Sequence, residues 1–216
     1  MSVAVKICGL SEPESLKAAI DSGADYVGFV FFPPSPRNIT PAKAGELARL
    51  VPAGVKKVGV FVNPVDDLLE EVLASADLDI LQLHGSESPD RVREIRQAFG
   101  KPVMKAIAVA RKEDIEAAKA YESVADMLLF DAKAPKNLEN ALPGGNGLIF
   151  DWQLIRNTDW SVPWMLSGGL EANNVSDAIA TSGAEMVDVS SGVENRPGEK
   201  DINRIRAFID ATRTRP

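Results

Sequence analysis

Apolar residues along this chain gather in short runs rich in β-branched and aromatic side chains, and between the runs they recur at helical spacing. The runs lie at 3–8, 26–32, 56–63, 80–84, 102–107, 127–131, 163–167 and 185–190. Runs of this length and composition, bounded by turn residues, predict strands. The segments between and after them, EPESLKAAIDSG, TPAKAGELARLV, PVDDLLEEVLASA, SPDRVREIRQAF, RKEDIEAAKAYE, DWQLIRN, ANNVSDAIATSG and DINRIRAFIDATRT, predict helices. Ser11 with Glu14 reads as a capping box, while Thr40-Pro41 and Ser88-Pro89 each place a cap residue before proline at the first helical position. Gly23, Gly100 and Gly183 supply the stops. Eight strand-plus-helix units in 216 residues predict one α/β domain over 1–216, a (β/α)8 TIM barrel. A doubly wound open sheet has the same periodicity, but no G-x-G-x-x-G follows the first strand to support a dinucleotide fold.

In a barrel, chemistry sits at the C-terminal ends of the strands. Side chains alternate along a strand, so Ala4, Lys6 and Cys8 share one face while Val3, Val5 and Ile7 share the other. The apolar set suits the helix layer, which turns Lys6 and Cys8 inward. The same parity pairs Gln82 with His84, Leu129 with Asp131, and Asp188 with Ser190. Each has a plain structural explanation as well as a chemical one. Cys8 is either a small buried hydrophobe or a reactive thiol, with Lys6 on its face to favour thiolate. Asp131, closing the run MLLF, is either an acid in a barrel mouth or the ion-pair partner of Lys105 or Lys133. His84, the only histidine, is a hydrogen-bonding support or a proton carrier. Lys6 and Asp188 either contact substrate or bind each other across neighbouring strands.

Composition narrows the partners. A net charge of −7 and the lack of any Lys/Arg stripe speak against nucleic acid. The longest apolar run, YVGFVFF, is far short of a membrane span, and the first residues lack the basic flank of a signal peptide. A single cysteine allows no internal disulfide. These features predict a cytoplasmic protein that avoids membranes. In an acidic chain, any anionic ligand must be held by local groups.

Two glycine loops supply such groups. LSGGLEANN follows the seventh predicted strand and VSSGVENRPG the eighth, so Gly168, Gly169, Ser191 and Gly192 can bring backbone amides close to an anion. Loops after the last two strands are the usual phosphate cradle of this fold. The stretch APKNLENALPGGNGLIF, with Gly145, Asn146 and Gly147, is long for a βα connection and reads as a mobile cover over the mouth.

Taken together, VKICGL, GFVFFPPSPR, VGVFVN, LQLHG, LLFDAK, GGNGLIFDW, LSGGL and VDVSSGVE resemble the phosphoribosylanthranilate isomerases of tryptophan biosynthesis over essentially the whole chain. The resemblance implies a TIM barrel that converts N-(5-phosphoribosyl)anthranilate to 1-(2-carboxyphenylamino)-1-deoxyribulose 5-phosphate by an Amadori rearrangement, with no metal or cofactor. It implies Cys8 as general base, Asp131 as general acid and Arg37, in the SPR stretch, as the partner of the anthranilate carboxylate. Asn146 departs from the Thr or Ser common at that place in the family. The chemistry fits those residue types, since opening the furanose ring needs an acid at its oxygen, and removing the C2 proton of the resulting Schiff base needs a base across the sugar. A small phosphorylated substrate and a monomer or homodimer are expected. Two alternatives are another phosphosugar barrel, such as indole-glycerol-phosphate synthase, and a non-catalytic phosphometabolite-binding module. The first would carry an additional helical segment before a first strand that here begins at Val3; the second would have no use for a Cys8/Asp131 pair.

Overall fold

The computed structural model describes residues 3–134, 142–156 and 158–213. Eight parallel strands close on themselves: β1 (Ala4–Cys8), β2 (Tyr26–Phe31), β3 (Lys56–Phe61), β4 (Ile80–Leu83), β5 (Val103–Val109), β6 (Met127–Ala132), β7 (Trp164–Leu166) and β8 (Met186–Val189). They pair in chain order, and β8 returns to β1 with Lys6 opposite Asp188. Closure excludes the open sheet, because none of these eight strands has an unpaired edge.

The alternation predicted along the strands divides the core in two. Val5, Ile7, Val27 and Phe29 point outward into the large cluster shared with the helices. Val30, Val58 and Val60 surround Cys8 on one side of the barrel interior, while Met104, Ala106, Leu129 and Met165 fill the other. The outer layer is α1 (Pro13–Ser22), α2 (Pro41–Ala48), α3 (Asp66–Ser75), α4 (Pro89–Phe99), α5 (Lys112–Ala118), α6 (Val175–Ser182) and α7 (Ile202–Arg213). Thr40 and Ser88 cap their helices as expected, accepting from the amides of Lys43 and Arg91 at 3.2 Å each. Gly23, Gly100 and Gly183 all adopt positive φ at helix ends, which residues with a Cβ disfavour.

Two elements differ from expectation. The Ser11/Glu14 capping box does not form: Pro13 fixes the first turn of α1 so that Glu12 is the cap position, and no side chain caps it. DWQLIRN forms only a 3₁₀ turn over Trp152–Leu154, with the Asp151 carboxylate accepting from Gln153 N at 3.0 Å. The barrel therefore has seven α-helices among the described residues. An unpredicted hairpin, β9 (Glu194–Arg196) with β10 (Glu199–Lys200), turns at Pro197-Gly198 between β8 and α7.

Candidate active site

The C-terminal mouth has two polar walls. On the first, Lys6 Nζ donates to Asp188 Oδ1 at 2.8 Å, and Ser167 Oγ donates to Asp188 Oδ2 at 3.1 Å. Lys6 is wholly buried and its partner nearly so. Lys6 and Asp188 thus form a strut tying β1 to β8 and β7 beneath the mouth, which is the structural alternative to their expected contact with substrate. Cys8, one residue pair further along β1, opens into a cavity lined also by Phe32, Val60, His84, Gly144 and Ser190.

Lys6 does not leave Cys8 ionised. Burial pushes the thiol above its ordinary range; Lys6 and, more weakly, Lys200 pull it down, while Asp188 pushes it up. The lysine is already committed to Asp188: burial lowers it, but Asp188 and then Cys8 outweigh that cost and hold its ammonium above the usual value.

On the second wall, Gln82 Nε2 lies 2.9 Å from His84 Nδ1, and His84 Nε2 lies 3.1 Å from Asp131 Oδ2. Asp131 Oδ1 accepts from the amide of Ala132 at 2.9 Å. The lysines proposed as partners of Asp131 are engaged elsewhere, Lys105 with Glu87 at 3.0 Å and Lys133 with Asp114 at 2.9 Å. The strand parity that grouped Gln82, His84 and Asp131 therefore holds, and the ion-pair explanation of Asp131 does not.

Arg37 forms the rim. It is only 5% exposed, and its Nε and Nη2 each donate to Glu194 of β9 at 2.8 Å in a bidentate pair. Lys200 of β10 donates to the same carboxylate at 2.7 Å and to Ser190 O at 2.9 Å, while Ser190 Oγ donates to Cys8 O at 3.2 Å. Burial raises the Glu194 carboxyl, but Arg37 and Lys200 outweigh it and hold it below the usual carboxylate range. This loop arginine is aimed by a hairpin that the sequence did not predict. Glu194 and Lys200 were missed because the pairing spans 157 positions, although RPGE carried a turn signal.

The described part of the predicted cover, 142–150, lies over these groups; residues 135–141 are outside the described residues. Asn146 closes its turn, donating to Leu142 O at 2.7 Å and accepting from Leu142 N at 3.1 Å. A methyl group at Gly144 would lie 2.5 Å from His84 Nε2 and 2.7 Å from Asp131 Oδ2, so only glycine permits the backbone to lie this low. The Gly145 carbonyl accepts from Arg37 Nη2 at 3.3 Å, and Gly147 and Ser191 line a second, wider cavity beside Asn195 and Arg196. Gly168 sits against Ala132 N and Asp131 Oδ1, and Gly169 against the Leu148 carbonyl. Ser191 and Gly192 occupy a 3₁₀ turn after β8. Among the described residues no cluster of three or more His, Cys, Asp or Glu could hold a metal ion, and no helix is long and apolar enough to cross a membrane.

A closed parallel barrel whose covered mouth joins a buried thiol, a histidine-bound carboxyl and two glycine loops defines an acid–base barrel enzyme for a small anionic substrate. Comparison with known proteins narrows the class. The chain belongs to the N-(5′-phosphoribosyl)anthranilate (PRA) isomerase family, whose model matches residues 5–211. It is 54% identical over 213 residues to the N-(5′-phosphoribosyl)anthranilate isomerase of Paramagnetospirillum magneticum, covering 99% of this chain and 98% of that one. Among solved structures, phosphoribosyl anthranilate isomerase from Thermotoga maritima superposes with TM-score 0.86 at 39% identity, covering 97% of this chain and 98% of that chain. A phosphoribosyl anthranilate isomerase in complex with reduced 1-(o-carboxyphenylamino)-1-deoxyribulose 5-phosphate superposes with TM-score 0.81 at 37% identity, with the same coverage.

Proposed function

We propose that this chain isomerises N-(5-phosphoribosyl)anthranilate to 1-(2-carboxyphenylamino)-1-deoxyribulose 5-phosphate, a step of tryptophan biosynthesis. The observation that carries the proposal is the pairing, under one glycine cover, of Cys8 with the His84–Asp131 unit on the opposite wall. Asp131 gives its proton to the furanose oxygen as the nitrogen lone pair expels it from C1. The iminium that results makes the C2 proton acidic, and the Cys8 thiolate removes it to leave a neutral enolamine. The enol hydroxyl then yields its proton while C1 gains one, giving the ketone. Cys8 ends protonated and Asp131 ionised, so one proton must pass from thiol to carboxyl before the next turnover. Neither step calls on a metal or cofactor.

Arg37 is assigned to the anthranilate carboxylate. Its fork already grips one carboxylate, Glu194, which leaves Nη1 as the edge that can face a ligand in the Cys8 cavity. The phosphate is assigned to backbone amides around Gly168, Gly169, Ser191 and Gly192, since clustered N–H groups favour a dianion in a chain of net charge −7. The same reading places the protein in the cytoplasm as a monomer or homodimer, which cell fractionation and sedimentation velocity check.

The direct test is loss of anthranilate-type fluorescence when the purified protein meets freshly made phosphoribosylanthranilate. Catalysed loss is expected; no acceleration over buffer removes the activity. Arg37→Ala should raise KM more than it lowers kcat, as for a contact made in ground and transition states alike. Gly169→Val, at a position with φ of 59° and a carbonyl 2.7 Å from any added Cβ, should raise KM sharply and weaken competition by inorganic phosphate. An unchanged KM in either variant returns that residue to a structural role.

A further inference from the structure

Gln82 is fully buried in β4, in register with two apolar neighbours, Val60 of β3 and Met104 of β5. Its Nε2 stands 2.9 Å from His84 Nδ1, and its Oε1 has no partner. A buried oxygen with nothing to bind is a cost that leucine or methionine would avoid, so the carboxamide is explained by its nitrogen. An NH₂ group only donates. With the amide oriented this way the ring nitrogen facing it is the acceptor, which puts the proton of a neutral imidazole on Nε2. From there, 3.1 Å from Asp131 Oδ2, the ring donates to the carboxyl.

For an acid, that direction decides where its proton can go. A bare Nε2 would be a strong acceptor within reach of Asp131 and would hold the acid proton in an O–H···N bond. With Nε2 protonated, Oδ2 is served by His84 and Oδ1 by Ala132 N, and both neighbours donate. We propose that Gln82 is a positioning residue of the isomerisation: its amide holds His84 in the Nε2–H tautomer, so that the imidazole cannot claim the proton Asp131 delivers to substrate. The consequence for turnover rests on Asp131 being the acid; the tautomer does not.

His84 is the only histidine in the chain, so ¹⁵N-labelled histidine reports one ring without assignment. Near pH 8, where an ordinary imidazole is neutral, long-range ¹H–¹⁵N correlation should show a pyrrole-type Nε2 and a pyridine-type Nδ1. Gln82→Met removes the donor at similar volume, and the two nitrogens should move toward an averaged mixture. Gln82→Glu replaces it with an acceptor, and Nδ1 should become protonated. In both variants kcat should fall roughly tenfold or more, short of the ~10²–10⁴-fold carried by an acid itself, with KM changed by less than about twofold. Circular dichroism and thermal melting identify a variant that merely misfolds, and the wild-type spectrum needs no variant at all. An Nδ1–H tautomer in the wild type overturns the proposal. So does a tautomer that shifts in Gln82→Met while kcat stays constant. Full turnover in Asp131→Asn with the tautomer intact would instead sink the assignment of the acid.

Discussion

On the wall built by β1 and β8, Cys8 is surrounded by valines, the nearest cations are tied to Asp188 and Glu194, and burial, joined by Asp188, outweighs the pull of Lys6 and Lys200 and raises the thiol. On the wall built by β4 and β6, Asp131 Oδ1 accepts from the Ala132 amide and Oδ2 lies 3.1 Å from the His84 ring, in a chain that begins at Gln82. One wall governs its proton by solvation and neighbouring charge, the other by the direction of hydrogen bonds. The first environment opposes loss of the thiol proton, so the thiolate that acts as base in the proposed reaction is the minor form at neutral pH. The contrast means that a mutation can disarm either wall by a different physical route.

The largest effect should come from removing the two proton carriers. Cys8→Ala and Asp131→Asn should each lower kcat by ~10²–10⁴-fold with fold and product-analogue binding kept. Near-normal turnover in either, with background enzyme excluded, collapses the comparison by removing one wall from the chemistry. Next is the strut below the first wall. Lys6→Met leaves Asp188 buried without its cation, which costs about 3–5 kcal/mol, and thermal unfolding should show the loss. Adding Asp188→Leu should recover most of it, because the pair is exchanged for apolar packing. A Lys6→Met protein as stable as wild type would mean that Asp188 finds another donor.

A smaller effect belongs to the rim. Glu194 lies below the usual carboxylate range, so its stabilising grip on Arg37 is fully present above the unfolded value of about 4.3 and is lost as pH falls through the lower folded value. Substrate-analogue affinity that depends on Arg37 should therefore hold down to about pH 4.3 as far as this pair is concerned, and Glu194→Gln should weaken it at neutral pH. Calorimetric titration of the analogue against both proteins checks this; equal affinity would show that Arg37 aims itself.

Local rules made most of the site legible in the sequence. Period-two alternation alone put Lys6 with Cys8 and Gln82 with His84, and chain order put β8 beside β1, so the Lys6–Asp188 alternative could be written down before any coordinates. What stayed hidden depends on distance through the chain or on burial. The Arg37–Glu194 pair joins the loop after β2 to a hairpin after β8, and no spacing rule links them. Whether Lys6 or burial controls the thiol is set by how Lys6 divides itself between Cys8 and Asp188, a balance of energies that residue types do not reveal. DWQLIRN failed as a helix because a short apolar spacing cannot tell an α-turn from a single 3₁₀ turn.

The smallest effect is also the one that reads the first wall directly. Burial raises the Cys8 thiol, and Lys6 and Lys200 recover only part of that cost, so the folded pKa stands above the ordinary value of about 8.5. The base in the proposed reaction is the thiolate. Its fraction therefore grows about tenfold per pH unit until the folded pKa is passed, and kcat/KM should still be rising at about pH 8.5 rather than level. Alkylation of the single cysteine by iodoacetamide should trace the same rise, independently of turnover. Lys200→Gln removes the more distant cation, and the alkylation curve should move to higher pH by a fraction of a unit. A wild-type curve already flat by about pH 7.5 would place the thiol below its ordinary range, and the first wall would then work by charge and not by burial.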